Sequence, residues 1–172
     1  MPVEIHTTRA EELTAVRHVH QQAFGGRSNE ARLVDLLHAQ NKAPISLVAA
    51  RRGQVVAHVL FSPVWIEPPS PRLNAVGLAP VGVLPDYQRQ GIGSRLIREG
   101  LRRCQEAGYE AVVVLGNPAY YSRFGFVRAR GHGLDNDYYA DEDFMVIELK
   151  PNALEGIRGT VKYQPEFAET GC

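Results

Sequence analysis

Two spacings of apolar residues alternate along the chain, broken by glycine and proline. Residues 3–8, VEIHTT, alternate as a short strand does, whereas Leu13, Val16, Val19 and Ala23 fall three or four apart and predict a helix over 9–24, stopped by Gly25 and Gly26. A second helix is predicted over 28–40, with Ser28 as its cap and Leu33, Leu36 and Leu37 as its buried stripe. The stretch SLVAARRGQVVAHVLFSPVWI then predicts a hairpin of two strands turning at Arg52-Gly53. Three prolines in EPPSPR, residues 67–72, forbid regular structure and make a loop inside a domain rather than a boundary. Residues 73–84, LNAVGLAPVGVL, are apolar or small throughout and suit a central strand covered on both faces. Pro80 has no N–H to give a ladder, so the sheet is expected to open near it and leave backbone groups for a ligand. After a turn at Pro85-Asp86, Ile92, Leu96, Ile97, Gly100, Leu101 and Cys104 predict a longer helix ending at Ala107-Gly108, and residues 110–116 a short buried strand. A helix between two such strands implies a right-handed crossover. GFVRAR, FMVIEL and GTVKY are read as added strands around a long polar loop, which gives an α/β class with mixed sheet order.

Length and charge narrow the picture further. The 172 residues suit a single domain over 1–172 with a sizeable core, and 19 basic against 19 acidic side chains leave no global field for nucleic acid or membrane. Apolar runs such as residues 111–115 are far too short to span a bilayer, and the first twelve residues lack the pattern of a signal peptide. The expected location is cytoplasmic. Two cysteines are too few for a disulfide framework, and Cys104 falls on the apolar side of its helix, where a buried thiol is expected. His18 and His20 lie on different sides of a helix, and no metal site is expected.

The chemistry concentrates in VGVLPDYQRQGIGSRLIREGL, residues 81–101. The first turn of a helix has amides without intrahelical partners and the positive end of the dipole, so it favours an anion. Gly91 and Gly93 remove Cβ where a phosphate would approach, and Arg89 and Arg95 add positive charge. A tight turn or close helix packing would also account for the glycines alone. A dinucleotide fingerprint would need a small residue where Leu96 stands, and the Gly-Lys-Ser/Thr of a P-loop is absent. What remains is Q/R-x-x-G-x-G/A, matched by Gln88, Gly91 and Gly93, and here the sequence resembles the GCN5-related N-acetyltransferase (GNAT) family. The resemblance continues through LGNPAYYSRFGF, residues 115–126, and backward through the order helix, helix, hairpin. FGF and the C-terminal GTVKY look most like a bacterial subgroup of poorly defined substrate.

This resemblance implies a mixed, largely antiparallel central sheet with helices on both faces, splayed at an acetyl-CoA site. It implies that backbone groups of Val81 and Val83 face pantetheine and acetyl group, with Val83 beside the developing oxyanion, and that the amides of Arg89, Gln90, Gly91, Ile92, Gly93 and Ser94 hold the pyrophosphate. The implied activity is direct, acetyl-CoA-dependent acetylation of a primary amine, carried by a small molecule or a peptide. No serine sits in a G-x-S-x-G elbow, which disfavours a covalent acetyl-enzyme. Tyr121 matches the family's general acid; alternatively it is a core aromatic with a satisfied hydroxyl. Asn117 is a candidate for the cofactor's amide arm or a plain turn former.

The base is open, because residues 73–84 contain no acidic side chain. Glu30 near a helix start could act through water or simply suit the dipole, and His58 is a second candidate or a half-buried structural histidine. Asp135, Asp137, Asp141, Glu142 and Asp143 lie in a stretch without a basic residue and are expected either to attract a cationic amine or to form a solvated loop. Arg95, Arg98 and Arg102 form a stripe that either meets a nucleotide phosphate or faces solvent. A non-catalytic acyl-CoA-binding sensor or interaction module is the alternative function. The acceptor and the oligomeric state, a homodimer included, stay open.

Overall fold

The computed structural model describes residues 2–70 and 73–172, so Pro71 and Arg72, the end of the proline-rich stretch, lie outside the described residues. In chain order the elements are β1 (Glu4–Thr7), α1 (Leu13–Ala23), α2 (Asn29–Ala39), β2 (Ile45–Arg51), β3 (Gln54–Glu67), β4 (Ala75–Val83), α3 (Ile92–Glu106), β5 (Ala111–Leu115), α4 (Pro118–Tyr121), β6 (Val127–Arg128), β7 (Leu134–Asn136), β8 (Phe144–Glu148), β9 (Gly159–Lys162) and α5 (Pro165–Thr170). Among the described residues the strands follow the order β1-β2-β3-β4-β5-β8-β6, with β9 pairing β3 and β7. Antiparallel pairing dominates, and β4–β5 and β7–β9 are parallel. The chain divides into two compact units, one of Met1–Ser62, Ala79–Gly100 and Pro165–Cys172, the other of Pro63–Leu78 and Leu101–Gln164.

In the first unit β1 and β2 pair antiparallel, as do β2 and β3, and the hairpin turns where sequence places it. Arg52 and Gly53 have φ of 51° and 79°, two successive left-handed residues that match the right-handed twist of a two-residue hairpin. Val16 and Val19 on α1 and Leu33 and Leu37 on α2 are buried as spaced, whereas Leu13, Ala23 and Leu36 are only half-buried and Val34, outside the expected stripe, joins the core. α3 approaches β3 so closely at Gly100 that an added Cβ would lie 2.6 Å from Cζ of Phe61, so that position excludes any larger residue. Three expectations change here. Residues Ala10–Glu12 form a 3-10 turn ahead of α1, and Ser28 stands at the start of α2 without a side-chain cap bond. α5 is an element the sequence reading lacks. It is held by Lys42 Nζ, 2.9 Å from both Glu166 carboxylate oxygens, and by Asn29 Nδ2, which donates to the Thr170 carbonyl.

In the second unit β5 lies parallel to β4 from Ala75↔Ala111 to Gly77↔Val113, and antiparallel to β8 from Ala111↔Glu148 to Leu115↔Phe144. The register with β4 therefore ends before Pro80, while β5 continues against β8. This is the opening that a proline inside a buried strand predicts. Val113, Phe144, Val146, Leu134, Leu154 and Val161 are among the residues that build this unit's core. β7 arises inside the long polar stretch, where three residues are too few to show an alternation.

Candidate functional site

The junction from β4 to α3 lies in the first unit. β4 ends at Val83, Leu84 donates its N–H to the Val56 carbonyl at 2.9 Å, and Pro85–Tyr87 make a 3-10 turn. Gln88 Nε2 then donates back to the Val83 carbonyl at 2.9 Å, and Gln90 Nε2 to the Asp86 carbonyl at 3.2 Å. Two glutamine side chains thus brace the loop, a role the sequence motif does not reveal. Arg89 and Gly91 both adopt left-handed backbone, with φ of 62° and 83°. An arginine in that conformation carries strain, which the braced turn enforces.

α3 begins at Ile92, and its first intrahelical bond runs from Arg95 N–H to the Gly91 carbonyl at 3.1 Å. The amides of Ile92 and Gly93 precede that bond, at the positive end of a 15-residue helix. A Cβ built on Gly91 meets nothing within 4 Å, so the space in front of the backbone is open. Gln88, Arg89, Gln90 and Gly91 are exposed, whereas Ile92, Leu96 and Ile97 bury the helix's other face. The residues present fit a diphosphate: amides of Ile92 and Gly93 ahead of the first intrahelical bond, left-handed backbone, open space at Gly91, and arginines at 89 and 95. Val81 and Val83 are half-buried at the end of β4.

Tyr121 lies in the second unit, at the end of the one-turn helix α4. Asn117 starts that helix, and its Oδ1 accepts the Ala119 N–H at 2.9 Å. The asparagine oxygen is therefore occupied as a cap, and Asn117 helps to fix the turn that carries the tyrosine. The Tyr121 ring is 8% exposed and sits edge-on to Phe126 and Tyr120 at centroid distances of 5.7 and 5.0 Å. Its hydroxyl makes no hydrogen bond among the described residues. Burial, with a smaller push from Tyr120, raises the phenol to about 12. Gly116 permits this placement, because an added Cβ would collide with Tyr121 Cε2 and stand 2.8 Å from Cδ2.

The remaining candidates are mostly engaged elsewhere. Glu30 is buried at the start of α2 and takes two bonds from Arg27 Nη2, at 3.1 and 3.3 Å, with the Cys172 thiol 3.7 Å from Oε2. The acidic stretch is corrected by tertiary structure: distant cations meet three of its five carboxylates. Asp141 pairs with Arg128 and Arg130, Asp137 with Lys162 at 2.7 Å, and Asp135 lies 3.9 Å from Arg130. Much of the field expected from this loop is thereby cancelled, since Glu142 also faces the Arg128 guanidinium, and Asp143 is left without an ion pair among the described residues. His58 is fully buried rather than half-buried, and hydrogen-bonds His20 and Ser46. Cys104 is buried on α3 and its thiol is pushed up to about 12, which makes it inert as a nucleophile. On the same helix, Arg102 pairs with Glu106 and Arg95 reaches the Val3 carbonyl. No cluster of metal-binding side chains occurs among the described residues, and none of their helices is long and apolar enough to cross a membrane.

Comparison with known proteins agrees with this geometry. The family model for the acetyltransferase (GNAT) domain matches residues 4–129. The uncharacterized N-acetyltransferase YhbS of Escherichia coli is 42% identical over 140 residues, 80% of this chain and 83% of that protein. The crystal structure of YhbS in complex with CoA superposes with a TM-score of 0.90 at 36% identity, covering 96% of this chain and 92% of that one. A GNAT family acetyltransferase from Brucella melitensis in complex with acetyl-CoA gives a TM-score of 0.81 at 34% identity, over 96% and 98% of the two chains. With the motif at the β4–α3 junction, the splayed mixed sheet and these matches in hand, the chain belongs to the GNAT family of acetyltransferases.

Proposed function

We propose that the protein transfers an acetyl group directly from acetyl-CoA to a primary amine. The observation that carries this reading is the open, left-handed Gly91 at the start of α3, beside amides that precede the first intrahelical bond. Acetyl-CoA supplies the activated thioester. The amides from Arg89 to Ser94 hold its pyrophosphate, with Arg89 and Arg95 adding charge, and Gln88 and Gln90 keep the loop in shape. Backbone groups of Val81 and Val83 orient the pantetheine arm and polarise the acetyl carbonyl. Tyr121 serves as the acid for the departing thiolate, and burial keeps it protonated at neutral pH. Asn117 acts on the reaction through its cap on α4, where its side-chain oxygen accepts the Ala119 N–H, rather than through the cofactor's amide arm.

The acceptor class is a small-molecule or peptide amine, and Asp143 is the carboxylate of the acidic stretch left to draw a cation. A single experiment tests the reading: the protein is incubated with acetyl-CoA and a panel of amines and peptides, and acetylated products are sought by mass spectrometry. Acetylated amine with stoichiometric release of CoA is the expected result. CoA binding by calorimetry with no product from any amine would select the non-catalytic binding module instead.

A further inference from the structure

A chain of buried polar side chains crosses the first unit, and nothing in the reaction described so far uses it. His20 on α1 and His58 on β3 have no exposed surface. His20 Nε2 lies 2.8 Å from His58 Nδ1, and His58 Nε2 lies 2.8 Å from Ser46 Oγ on β2. Ser46 Oγ is in turn 3.0 Å from His38 Nε2 on α2 and donates to Thr8 Oγ1 at 2.8 Å. A serine has one proton, so with that proton on the bond to Thr8 both histidines must donate Nε2–H to Ser46. Neutral His58 then has a bare Nδ1 that accepts from His20 Nε2–H. Neutral His20 is left with a bare lone pair on Nδ1.

That atom has no hydrogen-bond partner, although the rest of the chain is satisfied. It abuts β4 at Gly82, where an added Cβ would stand 2.9 Å from it, one residue from Val83. The opposite end opens to water, because Thr8 and His38 line a surface pocket of ≈ 490 Å³ together with Arg9 and Asp35. Burial favours the neutral imidazoles, lowering His20 to about 4 and moving His58 and His38 the same way. Two charged groups share the outer pocket: Arg9, and Asp35, which counters that trend at His38 and is paired with Arg17 at 3.1 Å.

We propose that this array is an outward proton relay for the acceptor amine, entered at His20 Nδ1 and discharged through Ser46 and Thr8 into the pocket beside His38. The proposal rests on the acetyl-transfer reading. An ammonium N–H bond breaks and an N–H bond forms at His20 Nδ1. The Nε2 proton of His20 passes to His58 Nδ1, that of His58 to Ser46 Oγ, that of Ser46 to Thr8 Oγ1, and that of Thr8 to solvent. One proton enters, one leaves, and the neutral amine keeps the electron pair with which it attacks the acetyl carbon. Nδ1 is covered by Gly82 at rest, so the proposal requires that bound substrate part β4 from α1 for the hand-over. Each passage inverts both imidazole tautomers, and the rings turn over before the next. His20 meets the acceptor nitrogen through the proton it takes, and His58, Ser46 and Thr8 are relay groups that touch no substrate atom.

The test uses an amine that the wild-type protein acetylates, and the variants Ser46→Ala and Ser46→Thr. Ser46→Ala is expected to lower kcat at neutral pH by about tenfold or more, with CoA affinity unchanged within about twofold, and Ser46→Thr to restore most of the rate. The defect should shrink as pH rises toward the amine's own pKa, about 10 for a lysine-like amine, because free amine then arrives without a proton to shed. A packing defect would persist across pH. Wild-type kcat in a folded Ser46→Ala, or a pH-independent loss, overturns the relay. Nitrogen-15 spectra of the wild type test it without any variant: His20 and His58 should be Nε2–H tautomers, and a Nδ1–H tautomer at His20 overturns it. A wild type that binds CoA and acetylates no amine removes the acetyl-transfer reading and the relay with it, whereas an active wild type with an indifferent Ser46→Ala removes only the relay.

Discussion

Replacing Tyr121 with phenylalanine separates chemistry from packing unusually well in this protein. The ring contacts to Phe126, Tyr120 and Phe124 survive the change, and the hydroxyl has no hydrogen bond among the described residues to lose. Stability should therefore move by less than about 0.5 kcal/mol, about 2 °C in melting temperature for a chain of this size. The rate should respond differently. With the phenol at about 12 and a thiol near 8.5, full transfer of the proton is uphill by roughly 3.5 pKa units, about 5 kcal/mol, in an unperturbed site. Tyr121 therefore acts first as a hydrogen-bond donor to sulfur as negative charge develops, and the proton follows as the thiolate is desolvated. A hydrogen bond to a charged group contributes about 1.5–3 kcal/mol, so kcat should fall by roughly 10- to 150-fold. The assay is kcat at saturating acetyl-CoA and amine, alongside calorimetric CoA affinity and the melting curve, with Tyr120→Phe as the control expected to lose little. The wild-type pH profile should also show no loss of rate from Tyr121 ionisation below about pH 11, since burial holds the phenol protonated until then. Near-normal kcat in Tyr121→Phe, with product release shown not to limit, would reassign the ring to packing.

Gly116→Ala places a methyl group against the Tyr121 ring and should cost about 1–3 kcal/mol while lowering kcat, measured by melting and turnover together; an unchanged kcat would mean the ring position is not critical. Gly91→Ala meets no atom but strains a left-handed backbone, whereas Gly91→Glu adds a carboxylate, so calorimetry should show a much larger loss of CoA affinity for glutamate; equal losses would remove the anion from this loop. His20 is lowered from 6.5 to about 4, so the unfolded chain binds a proton that the folded one refuses. Its contribution is present above pH 6.5 and is lost as pH falls toward 4, roughly 3 kcal/mol in all. Melting temperature should drop across that window and flatten in His20→Phe; equal slopes in both proteins would place the acid lability elsewhere.

Local sequence determined the parts of this protein whose signal lies within a few residues. The stripe of α2, the Arg52-Gly53 turn, the all-apolar β4 and the Gln88-x-x-Gly91-x-Gly93 junction each state their own geometry, because helix period, left-handed φ and a missing Cβ are properties of neighbours in the chain. Pro80 likewise foretold where β4 would leave β5, since a residue without an N–H cannot extend a ladder. Tertiary structure alone decided the rest. The acidic stretch at 134–143 looked unpaired because its cations, Arg128, Arg130 and Lys162, lie outside it, and Coulomb attraction acts through space rather than along the chain. β7 and α5 were illegible because three or six residues cannot display a period, and long-range pairing and docking hold them. Gly116 looked like the end of a strand until the Tyr121 ring occupied the space its Cβ would need. His20, His38, Ser46 and His58 come from four separate elements, and only folding brings their nitrogens and oxygen within hydrogen-bond distance. A hydrogen bond is made at about 3 Å, a scale that residues 8 to 38 positions apart reach only when packing fixes which faces of α1, α2, β2 and β3 meet.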